Sequence, residues 1–97
     1  MPAAERTRPA LNPGQTVVTP GALAALEEAH ESGAWYLRRH QCGDWGELSP
    51  DDWASNDAAL VEGSQILSAY RLGTGVKLWI ITEWDRSVTT LLLPEDY

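Results

Sequence analysis

The sequence predicts an α+β fold in which helices pack on a C-terminal three-stranded antiparallel β-meander. Up to Glu62 the apolar residues recur at helical spacing between capping residues, whereas from Gln65 onward they follow a period of two. A change of period at one point in the chain favours helices followed by strands. The 97 residues suffice for one hydrophobic core, so we expect a single domain over residues 16–97.

Residues 1–15 are expected to form a flexible N-terminal tail. This segment contains three prolines and shows no apolar periodicity, so burial cannot offset the entropy lost on ordering it. At its end, residues 15–18 could form a short strand, because two β-branched valines follow a threonine there.

The first two helices are predicted between residues 19 and 40. Thr19 can cap the free N–H groups of a helix that begins at Pro20, since proline tolerates the first helical position. Gly33 is expected to end this helix, and a second helical segment covers residues 34–40.

The third helix has the clearest start in the chain. Ser49 can accept a hydrogen bond from the N–H three residues on, Pro50 follows it, and two aspartates occupy the first turn, where the helix dipole favours negative charge. The helix should end at Gly63. Its inward side chains are predicted to be Trp53, Leu60 and Val61.

Three strands are predicted at residues 66–72, 76–84 and 88–93, because these segments are rich in β-branched and aromatic residues and are separated by turn sequences. In the middle strand one face should pack on the helices, and it consists of Val76, Leu78, Ile80 and Thr82. The opposite face carries Trp79 and Ile81 between charges, so we expect another element or a partner to cover it.

Negative charge dominates the middle of the chain. The formal net charge is -7, and residues 40–70 contain no Lys or Arg but six carboxylates: Asp44, Glu47, Asp51, Asp52, Asp57 and Glu62. Such a surface repels phosphate, so direct binding to nucleic acid or to an anionic membrane is not expected. The expected partner is a host or plasmid-encoded protein with a basic surface.

The composition favours a soluble, cytoplasmic protein. No apolar run approaches the roughly 18 to 20 residues that span a bilayer, and the first fifteen residues lack the apolar segment of a signal peptide. Cys42 is the only cysteine, which excludes an internal disulfide and fits a reducing compartment.

No catalytic residue, cofactor or metal site is predicted. His40, Cys42 and Asp44 could suggest a Cys–His nucleophile or half of a zinc site, but tetrahedral zinc needs four ligands and there is no second cysteine. Glu83 and Arg86 at the last hairpin leave two interpretations open. They could serve acid–base chemistry on a phosphodiester, or the arginine could simply pair with a carboxylate in a turn.

Several motifs resemble a family of small, uncharacterised bacterial proteins that are often plasmid-related. The resemblance rests on HQCGDWG at residues 40–46 and on WIITE, DRS and TT between residues 79 and 90, and it spans residues 16–97. It implies an association with mobile genetic elements, and it implies no activity or cofactor. Cys42 and Trp84 depart from the family pattern.

These observations together predict a small acidic protein-binding module associated with mobile genetic elements. The role expected of it is inhibition of a host defence complex, in the manner of an anti-CRISPR protein. The candidate interface residues are Asp44, Trp45, Glu47, Asp51, Asp52, Trp84, Asp85 and Arg86. The alternative is a plasmid-maintenance toxin of the RelE or ParE type, because the order of predicted elements is similar. Those ribonuclease folds tend to be basic, which ranks this alternative second.

Overall fold

The computed structural model describes residues 10–97, which form an α+β domain with three helices, a four-stranded sheet and a short C-terminal 3₁₀ helix. The first nine residues of the expected tail lie outside the described residues. The elements are β1 (Gln15–Val18), α1 (Pro20–Ala29), α2 (Gly33–Gln41), α3 (Pro50–Glu62), β2 (Ile66–Arg71), β3 (Lys77–Thr82), β4 (Val88–Leu92) and the 3₁₀ helix (Pro94–Asp96).

The sheet is mixed, with the strand order β1-β4-β3-β2. The antiparallel meander β2–β3–β4 is confirmed. The short N-terminal strand expected at residues 15–18 is confirmed as β1. Its parallel pairing with β4 was not predicted, so the sheet is neither wholly antiparallel nor wholly C-terminal. Parallel neighbours need a long connection between them. Here the connection from β1 to β4 contains the three helices, which return the chain to the sheet, and the strands β2 and β3.

The first helix ends earlier than the sequence predicted. Its last residue is Ala29, and His30 adopts the left-handed conformation (φ 56°) with its N–H donating to carbonyl oxygens of the last turn. Gly33 does not end α1 but begins α2, which Ser32 caps by accepting from the N–H of Ala34. Histidine was not expected at this left-handed position, because glycine and asparagine adopt it more readily.

The third helix has the predicted limits. The hydroxyl of Ser49 accepts from the N–H of Asp52, and Gly63 ends the helix in the left-handed conformation. Its inward face differs from the prediction, because Val61 is 89% exposed while Asn56 and Ala59 are buried. The helix lies along the edge of β2 and packs there through a narrow stripe of residues. Ala59 joins an apolar cluster, and the polar Asn56 hydrogen-bonds to the backbone of Leu67.

All the buried residues of the main core lie on the face of the sheet that packs on α1 and α2. The predicted inward face of β3 is confirmed for Leu78, Ile80 and Thr82, which are fully buried, but not for Val76, which precedes the strand and is 40% exposed. We call the opposite side the open face. There Ile81 is buried but Trp79 is only partly so, and the Trp79 ring meets that of Tyr97 edge-on at a centroid distance of 6.0 Å.

The segment before β1 contacts the domain. The N–H of Ala10 donates to the carbonyl of Gln41 at 2.7 Å, and Leu11 is buried in a second apolar cluster. That cluster also contains Trp45, Ala59 and Ile66. Among residues 10–14, therefore, part of the expected tail packs between α2, α3 and β2.

Candidate functional site

A groove opens on the open face of the sheet where the start of α3 meets β2 and β3. We call it the acidic groove. It has a volume of about 300 Å³ and continues into a second depression of about 260 Å³ beneath α3. Its rim carries Glu47 and Asp52, and its apolar floor consists of Leu48, Leu67, Ala69 and Trp79.

Two local structures position the carboxylates of this groove. Ser49 caps α3, which fixes Asp52 in the first turn and turns its side chain toward solvent. The segment before α3 pairs with the edge of β2: the N–H of Ala69 donates to Trp45, and its carbonyl accepts from the N–H of Glu47 at 2.6 Å. Glu47 and Asp52 are therefore both fixed through their backbone N–H groups, which donate to the carbonyl of Ala69 and to the hydroxyl of Ser49.

The charges of the groove are only partly neutralised. Glu47 is half exposed and pairs with Arg71 at 3.3 Å. Lys77 also lines the groove. Within residues 10–97, no hydrogen bond or ion pair engages the carboxylates of Asp51 and Asp52, and both side chains are exposed. An exposed ion pair contributes about 0 to 1 kcal/mol, so Arg71 can readily yield Glu47 to a partner's cation.

Asp44 lies outside the groove and has a structural role. Its carboxylate pairs with the guanidinium of Arg39 at 2.7 Å and accepts from the N–H of Gly46 at 3.3 Å. The hydrogen bond between the guanidinium of Arg39 and the carboxylate of Asp44 raises the pKa of Arg39. The carbonyl of Asp44 accepts from the hydroxyl of Tyr70 at 2.6 Å. Asp44 thus holds the turn between α2 and α3 and is not free for a partner.

Trp45 was expected as an exposed aromatic residue of a turn, but it is fully buried. Its indole N–H donates to Asp57 at 3.0 Å, and its ring meets that of His40 edge-on. Trp45 therefore belongs to the core and does not belong to the candidate surface.

The remaining three candidates lie on the β3–β4 turn, at the other end of α3. Trp84 is 66% exposed. Asp85 accepts from both the N–H and the hydroxyl of Ser87, which lowers its pKa. Arg86 adopts a left-handed conformation and donates to the carbonyls of Ala59 and Ser64 at 2.8 and 2.6 Å.

These contacts separate the candidate interface residues into two groups. Glu47, Asp51 and Asp52 lie at the start of α3, and the β3–β4 turn lies at its end. With a rise of about 1.5 Å per residue, the thirteen residues of α3 place the groups roughly 18 Å apart. The structure brings together the first group only, and adds to it the floor residues Leu48, Leu67 and Trp79.

The floor residues were missed as site residues, although part of the signal was visible. The period-two pattern placed Trp79 on a face that needed a cover, but it did not show that α3 would bring acids beside it. Asn56 gave no signal at all. Its side chain is buried and forms two hydrogen bonds with the backbone of Leu67, at 2.7 and 3.4 Å.

The loop that could have suggested a nucleophile or a zinc site has a different structure. His40 is fully buried, with Nδ1 2.5 Å from the hydroxyl of Ser68 and Nε2 2.8 Å from that of Thr82. Burial, with a smaller contribution from Arg86, lowers its pKa to about 3. Cys42 is buried. The described part of the chain contains no group of three or more His, Cys, Asp or Glu side chains arranged to hold a metal ion.

Comparison with known proteins gives no family: no protein-family model, curated protein or solved structure matches this chain. Of the helices in residues 10–97, none has the length and apolar character to cross a membrane.

Proposed function

We propose that this chain is a protein-binding module whose acidic groove receives a basic segment of a partner protein. The observation that carries the proposal is the pairing of two unlike features. The rim carries Asp52, which has no ion-pair partner among residues 10–97, and Glu47, whose ion pair with Arg71 is exposed. An apolar floor with a partly exposed tryptophan lies beneath them. Interfaces commonly combine such an aromatic anchor with charged groups at its margin.

The groove fits a lysine or arginine side chain better than it fits an isolated cation. Ca²⁺ and Mg²⁺ take six or more oxygen ligands in close array, whereas the rim carboxylates of Glu47 and Asp52 stand over an apolar floor. A long cationic side chain would lay its methylene groups on Leu67 and Trp79 and hold its charge near the rim. A cation over an indole ring gains about 0.5 to 2 kcal/mol.

The net charge of the whole chain supports a protein partner with a basic surface. A charge of -7 speeds the approach of a cationic partner and slows that of nucleic acid. The motifs that resemble plasmid-associated proteins suggest a partner class, the nucleic-acid-binding surface of a host defence complex such as a CRISPR effector. Inhibition of that complex would follow from occupation of its basic site.

A pull-down from host cells tests this function. The tagged wild-type chain is compared with a groove variant, Glu47→Gln, Asp51→Asn and Asp52→Asn, and with a control variant of equal charge, Glu28→Gln, Glu62→Gln and Glu95→Gln. All three control positions are exposed and lie outside the groove. Circular dichroism checks the fold, because each aspartate in the first turn of α3 contributes about 0.3 to 1 kcal/mol to the helix.

We expect the wild type and the control variant to recover the same basic protein at low salt, and the groove variant to recover much less. Recovery should fall with added salt for the wild type, since the attraction is screened over about 8 Å at physiological ionic strength. Equal recovery by the groove variant would show that the acidic groove is only a solvated surface.

A further inference from the structure

The two edge strands of the sheet, β2 and β1, differ in whether other parts of the chain bond to their outward backbone groups. At the β2 edge, the outward backbone groups of two residues are occupied: Asn56 pairs with Leu67, and the segment before α3 pairs with Ala69. A sheet edge whose N–H and C=O groups are covered in this way cannot recruit another strand.

The β1 edge is bare in the part of the chain that the structure describes. The N–H of Gln15 donates to the carbonyl of Ser87, just before β4, and the N–H of Thr19 donates to that of Leu91 in β4, at 3.0 Å each. Since backbone groups alternate along a strand, the N–H and C=O groups of Thr16 and Val18 point away from β4. All four residues of β1 are exposed, and none is charged or a proline, so the edge carries none of the usual protections.

An apolar groove of about 360 Å³ adjoins this edge, between β1 and the helices α1 and α2. We call it the edge groove. Thr16 and Val18 line it, so the residues with outward backbone groups also border the cavity. Its other apolar walls are Leu23, Leu26, Leu37 and Leu91. Side chains of an added strand that face the helices would enter this space at every second residue.

Negative charge marks one side of the edge groove. Glu27 and Glu31 both line it, and Glu27 is exposed at the surface of α1. Glu31 already accepts from the N–H of Gly73 and the hydroxyl of Tyr36. A second copy of this acidic chain would bring its own glutamates to the same place, whereas a strand with a lysine or arginine would complement Glu27.

We propose that β1 is a docking edge for an extended segment of a partner protein, with apolar side chains at alternate positions and a basic residue next to them. The segment adds a fifth strand: its backbone bonds to Thr16 and Val18, its apolar side chains fill the edge groove, and its basic residue meets Glu27. This surface lies at the opposite edge of the sheet from the acidic groove, so the inference does not depend on the function proposed above.

The test uses a capped synthetic peptide of about eight residues, a common strand length, in which Val and Leu alternate with Thr and two Lys stand at one end. A matched peptide carries N-methyl groups on the amides that would face β1. The readouts are the dissociation constant and the amide exchange of Thr16 and Val18 in the full chain. We expect the first peptide to slow the exchange of both amides, and N-methylation to weaken binding at least about tenfold.

Two variants locate the site. Thr16→Pro removes an outward N–H that β4 does not use and should weaken binding about tenfold while the circular dichroism stays unchanged. Glu27→Lys should weaken binding and reduce its salt dependence, whereas Glu28→Lys, an equal charge change outside the groove, should leave both as in the wild type.

Three results would overturn the proposal. The N-methylated peptide could bind as well as its parent, or Glu27→Lys could behave as Glu28→Lys does. The amides of Thr16 and Val18 could also exchange slowly in the free protein. Slow exchange at high dilution would show that the chain covers its own edge, and slow exchange that grows with concentration would show pairing between two copies.

Discussion

At the scale of single residues, a buried histidine organises the middle of the sheet. His40 of α2 contacts Ser68 of β2 and Thr82 of β3, and the hydroxyl of Thr82 lies 2.7 Å from that of Thr89 in β4. The Thr89 hydroxyl also donates to the carbonyl of Pro13. The chain of polar groups thus links α2, three strands and the segment before β1, and every buried side-chain polar atom among residues 10–97 has a partner.

We expect His40 to make stability depend on pH. Its pKa is about 3 in the folded state, below the value of about 6.5 expected in the unfolded chain, so the unfolded state binds more protons as the pH falls below that value. The contribution of neutral His40 to the free energy of unfolding is fully present above about pH 6.5 and is lost as the pH falls toward the folded pKa. Between about pH 7.5 and 5.5, the free energy of unfolding should fall by about 1.4 kcal/mol.

Urea unfolding of the wild type and of His40→Gln measures this dependence. Glutamine can still hydrogen-bond to Ser68 and Thr82 but does not titrate, so the slope over that pH interval should largely disappear in the variant. An equal slope in both proteins would assign the pH dependence to other groups. Residues that face His40 include Trp45, and Arg86 acts on it electrostatically.

At the scale of elements, the short segment before α3 covers the β2 edge of the sheet and so keeps another strand from pairing there. Gly46 sits where this segment crosses β2, with φ at 78°, and a Cβ there would lie 2.0 Å from the carbonyl oxygen of Ala69. Only glycine permits both the left-handed conformation and this close approach. The same segment carries Glu47 to the rim of the acidic groove, so the edge cover and the candidate site are one structure.

Replacement of Gly46 by alanine should destabilise the domain by about 2 kcal/mol or more, because the clash with β2 adds to the backbone strain. Gly75→Ala is the matched control: Gly75 also has a positive φ, 93°, but its Cβ would meet no atom within 4 Å. Denaturant unfolding gives the two free energies, and amide exchange at Ala69 reports the edge. Equal losses in the two variants would mean that the crossing at Gly46 is not tight.

Some elements could be predicted from the sequence and others could not. The limits of α3 and the three antiparallel strands followed from capping residues and from period-two patterning, which are local signals. The parallel pairing of β1 with β4 and the early end of α1 at His30 had no such signal. The pairing joins distant parts of the chain, and the end of α1 depends on a left-handed histidine, a residue that ends helices less often than glycine does.

The candidate site was only partly predictable for the same reason. The carboxylates at the start of α3 were found from composition. The roles of Trp45 and Arg86 were not, because a side chain in a turn can face solvent or the core and the local sequence does not distinguish the two. Arg86 was expected to act in catalysis or to pair with a carboxylate; in the structure its guanidinium binds carbonyl oxygens near the end of α3.

At the scale of the whole molecule, the acids of α3 divide into two groups. The acids of α3 that are bound internally, such as Asp57 with Trp45, face inward, and those on its first turn face solvent beside an apolar floor. The edge of β1 lies on the other side of the sheet. The molecule therefore offers two separate surfaces, one defined by charge and one defined by backbone hydrogen bonds.

If the acidic groove receives a basic protein, the rate of association with the recovered partner depends on the groove carboxylates. This rate is measured across a range of salt for the wild type, the groove variant and the control variant of equal charge. Long-range attraction acts on both variants alike, so only a difference between them reports the groove. We predict that the groove variant associates more slowly, with a weaker salt dependence and faster dissociation than the control. Identical kinetics for the two variants would contradict binding of the partner in the acidic groove.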